Sequence, residues 1–439
     1  MTKELTMEKT QLDTERSRSM PDGWELRTLG DVCEIFNGST PLKSKREFWD
    51  DGEINWFTIS DIRKQGRNIK YTQQKITSEG FNSTSITLLP KKSVLLCCTA
   101  SVGEYAITDV ELTTNQQFNG LVVKEKNKLF SEYLFHYSST LKEKLLSKSG
   151  KATIDFVSMT KVKTIPIPLP PLTQQKQIVA ILDKAFAAID TAKANAEQNL
   201  QNAKELFESY LQNVFDPSTR SGQEGDDWEE GEFGNIITTL TDYHANGSYK
   251  ILKKNVELKD NEDYAWMIRS TDFENNFQNQ FKYIDEHAYN FMSKSKVLGN
   301  EIIMSKIGNA GKVYLMPKIN RPTSLAMNLF LIRLDENNAL PEFIFRFLKS
   351  NKGESQILKR VKGATTKTIT KDNVRNIIIL YPPLEKQKKI VIKLDALSAE
   401  TKKLEAIYTQ KIADLEEMKK SILQKAFSGA LSLKVALAV

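Results

Sequence analysis

The residues best equipped for chemistry lie apart from one another in this chain. The three histidines, His136, His244 and His287, show no ligand-like spacing, so they read as packed or solvated imidazoles rather than metal ligands. Cys33, Cys97 and Cys98 form no C-x-x-C pair, which points away from a zinc ribbon or a disulfide framework and toward buried, reduced thiols. The run Gly308-Asn309-Ala310-Gly311-Lys312 has neither the spacing of a phosphate loop nor, at Val313, the hydroxyl that would hold magnesium; a turn between two strands explains it better. Tyr381-Pro382-Pro383-Leu384 lacks the Asn or Asp and the aromatic residue with which an amino-methyltransferase holds a flipped base. No glycine-rich cofactor loop follows a strand, and no Ser-His-Asp or Cys-His arrangement is present. The expectation is a chain that is not an enzyme and holds no metal and no cofactor of its own.

Binding chemistry is better represented. Basic and amide side chains gather at turns: Lys43, Lys45 and Arg46, then Arg63, Lys64 and Arg67, then Asn115, Gln116 and Gln117. Further along come Lys250, Lys253 and Lys254, then Arg269, Lys306, Asn309 and Lys312. Lysine and arginine neutralise phosphates, and Arg, Asn and Gln can pair bidentately with base edges. A net charge of +7 is compatible with a nucleic-acid partner. Any one cluster is ordinarily a solvated surface; their recurrence at matching places in two halves is what singles them out.

The elements that must position these groups occur twice. Pro171 matches Pro383, Ile178 matches Ile390, Asp183 matches Asp395, Leu211 matches Leu423 and Phe215 matches Phe427, all at one constant offset. Each copy opens on a Pro-Pro pair that ends an extended run and pre-sets a helix start. No glycine or proline then intervenes until Pro217 in the first copy and Gly429 in the second. Roughly 44 residues of helix would reach about 66 Å. Apolar residues step by three and four: Ile178, Leu182, Ala185, Ile189, Ala192, Ala196, Ala203, Leu206 and Tyr210 in the first helix, with Asn199 the polar position. The second seam is Ile390, Leu394, Leu397, Thr401, Leu404, Tyr408, Lys411, Leu415, Met418 and Ile422. Such stepping predicts a coiled coil; the alternative is two independent surface helices. A two-fold relation between the copies would run them antiparallel. Placing Ala185, Ala192, Ala196 and Ala203 opposite Leu415, Tyr408, Leu404 and Leu397 matches small to large, and sets Asn199 against Thr401. Ile189 then faces Lys411, the one poor fit.

Ahead of each helix lies β-rich text. Glu53–Ser60 and Ser93–Cys98 read as strands, as do Tyr105–Thr108 and Gly120–Val123, and Ser131–Leu146 has helical spacing. A second region repeats the plan, with Trp228-Glu229 answering Trp24-Glu25 and Gly311 answering Gly103, but here the offset drifts. The expected fold class is α+β: two pseudo-repeated globular domains with mixed sheet, separated by an antiparallel coiled coil of two long helices. The expected boundaries are a disordered tail at 1–20, a first domain at 21–170, a helix at 171–216, a second domain at 217–382, a helix at 383–428 and a tail at 429–439. Helices in strict register beside scaffolds with divergent surfaces suggest a protein that reads two different things at a fixed separation. The 439 residues contain no apolar run long enough to span a bilayer and no signal peptide, so the expected location is the cytoplasm.

The chain resembles the specificity subunit of type I restriction-modification systems. The resemblance rests on Gly23-Trp24-Glu25, Leu29-Gly30-Asp31-Val32, Asn37-Gly38-Ser39-Thr40-Pro41 and the run Ile165–Leu172 leading into Gln174–Ile178. Asp227-Trp228-Glu229, Gly363-Ala364-Thr365 and Pro382–Gln387 form the second set. Two departures are Cys97-Cys98-Thr99-Ala100-Ser101, without the arginine often found beside that Ala-Ser, and Leu380-Tyr381, poorer in proline than its counterpart. The resemblance implies two target-recognition domains, each reading half of a split site in double-stranded DNA, with the helices setting the spacer. It implies a non-catalytic subunit that docks two modification (methyltransferase) subunits, which carry S-adenosylmethionine, in a complex able to recruit restriction endonuclease subunits. The competing reading is a coiled-coil adaptor whose β-rich domains bind protein or glycan; a steep salt dependence of DNA binding separates the two.

Overall fold

Two glutamines fix how each long helix leaves its domain. In the computed structural model, which describes residues 21–148, 156–216, 227–278 and 281–431, the helices span Leu172–Phe215 and Leu384–Ser428. One turn into the first, Gln175 is fully buried; its amide donates to the Lys128 and Pro170 carbonyls, and its oxygen accepts from the Phe130 N–H, all at 2.8 Å. Gln387 does the same in the second, accepting from Leu340 N–H at 2.9 Å and donating to Asn338 and Pro382. Because both amide hydrogens and the oxygen find partners away from water, losing the side chain strands the three backbone groups it holds. The tails expected at 1–20 and, beyond Leu431, at 429–439 lie outside the described residues, as do 217–226 of the second domain.

The chain forms two units, one of residues up to Ala196 with those from Gln410 onward, the other Glu197–Thr409. In the first, Glu25–Thr28 pairs with Pro166–Leu169, and a five-stranded sheet runs in the order Cys33–Asn37, Phe118–Val123, Val94–Cys97, Tyr105–Thr108, Asn68–Ile69. A three-stranded sheet centres on Ile54–Phe57, antiparallel to Gln74–Ile76 and parallel to Thr113–Thr114. The second unit repeats this: Glu229–Glu232 with Ile378–Tyr381, then a four-stranded sheet of Ile237–Asp242, Leu329–Leu334, Ile302–Ser305 and Val313–Leu315. Its three-stranded sheet centres on Ala265–Ile268, again antiparallel to one neighbour and parallel to the other. The mixed sheets expected from the sequence are therefore present in both copies.

Two elements differ from the sequence reading for local reasons. The strand read at Glu53–Ser60 is only Ile54–Phe57, because the Asp61 carboxylate accepts the Thr58 N–H at 2.8 Å and starts a helix, Ile59–Gln65. The helix read across Ser131–Leu146 is two, Ser131–Ser138 and Lys142–Lys148. At the break the hydroxyls of Ser138, Ser139 and Thr140 bond to the Leu134, His136 and Tyr137 carbonyls, offering the backbone an alternative to continuing.

Within the first unit the long helices run antiparallel: Lys193 meets Glu416, and one turn back Asp190 meets Lys419 at 3.0 Å, whose ammonium also lies 4.8 Å over the Phe186 ring. These pairs stand roughly two and a half turns from the alignment that sets Ala185 opposite Leu415. Aromatic anchors at the helix ends account for the shift. Phe427 packs edge-on against Tyr133 and Tyr137 at 5.3 and 5.1 Å, and in the second unit Phe215 packs against Phe343 and Phe347, both at 5.4 Å. These large contacts outweigh alanine-to-leucine matching along the seam. Ala196, Ala203 and Thr401 are buried, while Ala185, Ala192, Leu397, Leu404, Tyr408 and Leu415 are half-buried. Asn199 is exposed, and the Thr401 hydroxyl bonds back to Leu397 and Ser398 on its own helix, so the expected Asn199–Thr401 pair is not made. Leu206 and Lys411 are exposed and Phe207 and Ile412 turn inward instead, the drift expected when a 3.6-residue helix departs from a strict heptad.

Candidate nucleic-acid interface

Turns brought together by the first unit's sheets carry part of the basic set. Ser39 N–H donates to the Thr114 carbonyl at 2.9 Å and Gly38 N–H to that of Phe118 at 3.1 Å, so the Asn37–Pro41 and Asn115–Gln117 turns lie side by side. A Cβ on Gly38 would meet the Asn115 carbonyl at 2.0 Å, which is why glycine stands there. Thr40 bonds to Gln116, which is exposed, whereas Asn115 is buried and spends its side chain on Gln117. Lys43 lies 5.9 Å over the Trp56 ring and opens onto a cleft of about 420 Å³ with Trp49, Gln73, Gln74 and Lys75. Lys45 sits over Phe48 and 3.5 Å from Glu47, and Arg46 is exposed in the following 3-10 turn.

The remaining first-half candidates diverge. Arg63 and Lys64 sit in the last turn of Ile59–Gln65, apart from the Lys43 cleft, with Arg63 beside Ala100, Ser101 and Lys142. Arg67 is committed internally, stacked 4.0 Å over Tyr105, donating to its carbonyl at 2.9 Å and paired with Glu104 at 3.1 Å. In the second unit Lys250, Lys253 and Lys254 are exposed on the helix Tyr249–Asn255, which buries Leu252. Arg269 is held by buried Asp272 at 2.6 Å, and Lys312 by Glu274 at 2.8 Å. Arg269 and Arg67 each keep a carboxylate partner within the chain, with side chains 31% and 38% accessible.

Lys306 and Asn309 belong to a construction that the sequence reading missed. The loop after Ile302–Ser305 is tied to the hairpin 362–368 by Gly308 N–H to the Lys367 carbonyl at 3.0 Å and Ile369 N–H to that of Lys306 at 3.1 Å. That hairpin projects Lys362, Thr365, Thr366 and Lys367 into solvent. Beneath it, nearly buried Asp242 receives Lys306 at 2.8 Å and Lys371 at 3.4 Å. Burial works to raise the Asp242 pKa, but the two ammoniums, Lys306 foremost, overcome it and hold the carboxyl below its usual range. Gly363-Ala364-Thr365 was the available signal for the hairpin; nothing local ties Asp242 to Lys371, because they meet only through the fold.

Other chemistry-bearing residues are structural. The three cysteines are buried and free, and burial pushes the Cys33 and Cys98 thiols up to about 12. Among the described residues no group of His, Cys, Asp and Glu could hold a metal, and no helix is long and apolar enough to cross a membrane. Buried His136 pairs with Asp183 of the long helix at 2.8 Å; the matching position in the second unit is Arg346, 2.7 Å from Asp395. Burial lowers the His136 pKa, and Asp183 opposes this only in part. A group with a depressed cationic pKa takes its proton more readily when unfolded, so it contributes stability above its ordinary value of 6.5 that is lost as pH falls below it. Hydrogen exchange, corrected for intrinsic rates, is expected to show Ser131–Ser138 losing protection between pH 7 and 5 while Pro341–Lys349 does not. His136→Gln should flatten that dependence; an unchanged profile would assign it to other groups.

Comparison with known proteins gives the same picture of duplication. Residues 21–202 and 225–416 each match the family model described as type I restriction modification DNA specificity domain. The specificity subunit of the type I restriction enzyme MjaIX of Methanocaldococcus jannaschii is 26% identical over 388 residues, covering 83% of this chain and 84% of its own. That of EcoprrI from Escherichia coli is 37% identical over 180 residues, 38% of this chain and 44% of its own. Among solved structures, a chain from a study of complex assembly and conformational transition of the type I R-M system superposes with a TM-score of 0.71 at 18% identity, covering 94% of this chain and all of that one. The HsdS subunit from Thermoanaerobacter tengcongensis gives 0.64 at 19% identity, covering 94% and 99%.

Proposed function

Since the chain belongs to the family of type I restriction-modification DNA specificity subunits, we propose that its two target-recognition domains each read one half of a split site in double-stranded DNA. The long helices hold the two readings at a set spacing and dock two modification subunits. Those partners bring S-adenosylmethionine and the methyl-transfer chemistry, restriction endonuclease subunits join the same complex, and the assembly works in the cytoplasm. This chain supplies recognition and no catalysis.

One observation carries the reading. The same clasp, Gln175 in one unit and Gln387 in the other, sets a long helix against each domain, while the loops over the shared sheets carry different side chains. Scaffold and spacer are kept and the surfaces vary, which is the arrangement expected of two readers with different targets. Selection from a random duplex pool, with the modification subunit present, is expected to return two short specified segments separated by an unspecified spacer of constant length, bound with a steep salt dependence. The purified chain alone should transfer no methyl group to that DNA. A single uninterrupted site, or binding indifferent to salt, would refute the proposal.

A further inference from the structure

We propose that Asp242, Lys306 and Lys371 form a charged anchor in the second domain that sets two ammoniums against DNA phosphates beneath the hairpin 362–368, and that Asp242 restrains its grip on non-specific DNA. The inference rests on the DNA-reading function above.

All three residues sit at places that the first unit fills differently. Asp242 ends its strand opposite Phe330, and Asn37 ends the equivalent strand of the first unit opposite Asn119. Lys306 N–H bonds to the Asn328 carbonyl just past one sheet strand, and Cys98 N–H bonds to Gln117 at the same place in the other copy. Lys371 opens a short helix capped by Thr370, as Met159 opens one capped by Ser158. The three charged residues of the second unit therefore occupy sites that the first fills with Asn37, Cys98 and Met159, all uncharged. There the Asn119 amide donates to the Cys98 sulfur at 3.2 Å; here Lys306 lies 5.5 Å over Phe330. The first unit thus builds the same scaffold without a charged cluster at this place.

The exposure of the three groups is uneven. Lys306 and Lys371 are partly exposed, with side chains 27% and 34% accessible, while the Asp242 side chain is 8% accessible. The cations thus face outward over a carboxylate that does not. They flank the base of a hairpin whose own Lys362 and Lys367 are exposed. A lysine held in place loses less freedom on meeting a phosphate than a mobile one. The carboxylate cancels one of the two charges at long range, which weakens attraction to any duplex but leaves both ammoniums aimed at a phosphate in the right place.

The test uses the full-length chain assembled with its partner subunits, the duplex selected by the wild type, and a scrambled duplex. Asp242→Asn is expected to steepen the slope of log K against log salt by about one, since the net positive charge of the cluster rises by one, and to raise affinity for the scrambled duplex more than for the selected one. Lys371→Gln should make the slope shallower by about one. Where Asp242→Asn fails to fold, judged by loss of amide protection in Ile302–Ser305, Lys306→Gln takes its place and should also give a shallower slope. Wild-type slopes in these variants would overturn the anchor while leaving the DNA-reading function standing. Absence of salt-dependent binding by the wild type would overturn both.

Discussion

Replacing residues 21–165 by the matching region of a relative is expected to change one half of the selected DNA site and leave the other half and the spacer as they were. The exchanged segment contains the Asn37–Pro41 and Asn115–Gln117 turns and the cleft around Lys43, Trp49 and Gln74. It leaves Pro166 to Phe215 intact, and with it Gln175 and the long helix. Each mismatched base pair in a site costs about 1–3 kcal/mol, so a half-site of several pairs carries discrimination of several powers of ten. Selection from a random pool by the hybrid would show it. A change in both half-sites, or in the spacer, would mean that the two domains do not read independently. The junction matters: Pro166–Leu169 pairs with Glu25–Thr28, so a compatible hybrid must keep apolar Leu26 opposite Pro168.

The second large effect concerns stability. Phe215 is 1% exposed at the end of the first long helix, edge-on to Trp228, Phe343 and Phe347. Phe215→Ala removes a ring from a close-packed aromatic cluster and is expected to cost about 3–5 kcal/mol. Pro341–Lys349, whose Phe343 and Phe347 lose their partner, should lose hydrogen-exchange protection, while Ser131–Ser138 in the other unit keeps its own. Phe215→Leu retains most of the buried volume and should recover much of the loss. Equal loss in both units would show that they unfold as one. No loss would show that the end of the helix is not an anchor and that the seam sets the register after all.

Much of this was legible without coordinates. The doubled helices follow from a constant offset and from the lack of glycine and proline over the whole of each segment. Apolar residues that keep stepping by three and four for that length line one face of a helix and of no other regular structure. The mixed α+β character and the matching of Trp24 to Trp228 and Gly103 to Gly311 also came from spacing; both glycines sit at positive φ, +90° and +87°. Register was not legible. Small-to-large matching is a weak and nearly degenerate constraint along an alanine-rich seam, and aromatic contacts at Phe427 and Phe215 with residues far away in sequence decide it instead.

The same division holds for the basic residues. Composition and turn placement picked out Lys43, Arg67, Arg269, Lys306 and Lys312 on equal terms, because a charge in a string of letters carries no partner. Tertiary structure separated them: Arg67 is spent on Tyr105 and Glu104, Arg269 on Asp272 and Lys312 on Glu274, while Lys306 joins Lys371 over Asp242. Local pattern determines which segments are helix or strand and that they occur twice, since those preferences act within a few residues. Which charges are neutralised, and which helix position faces which, is decided by contacts between segments that lie far apart along the chain.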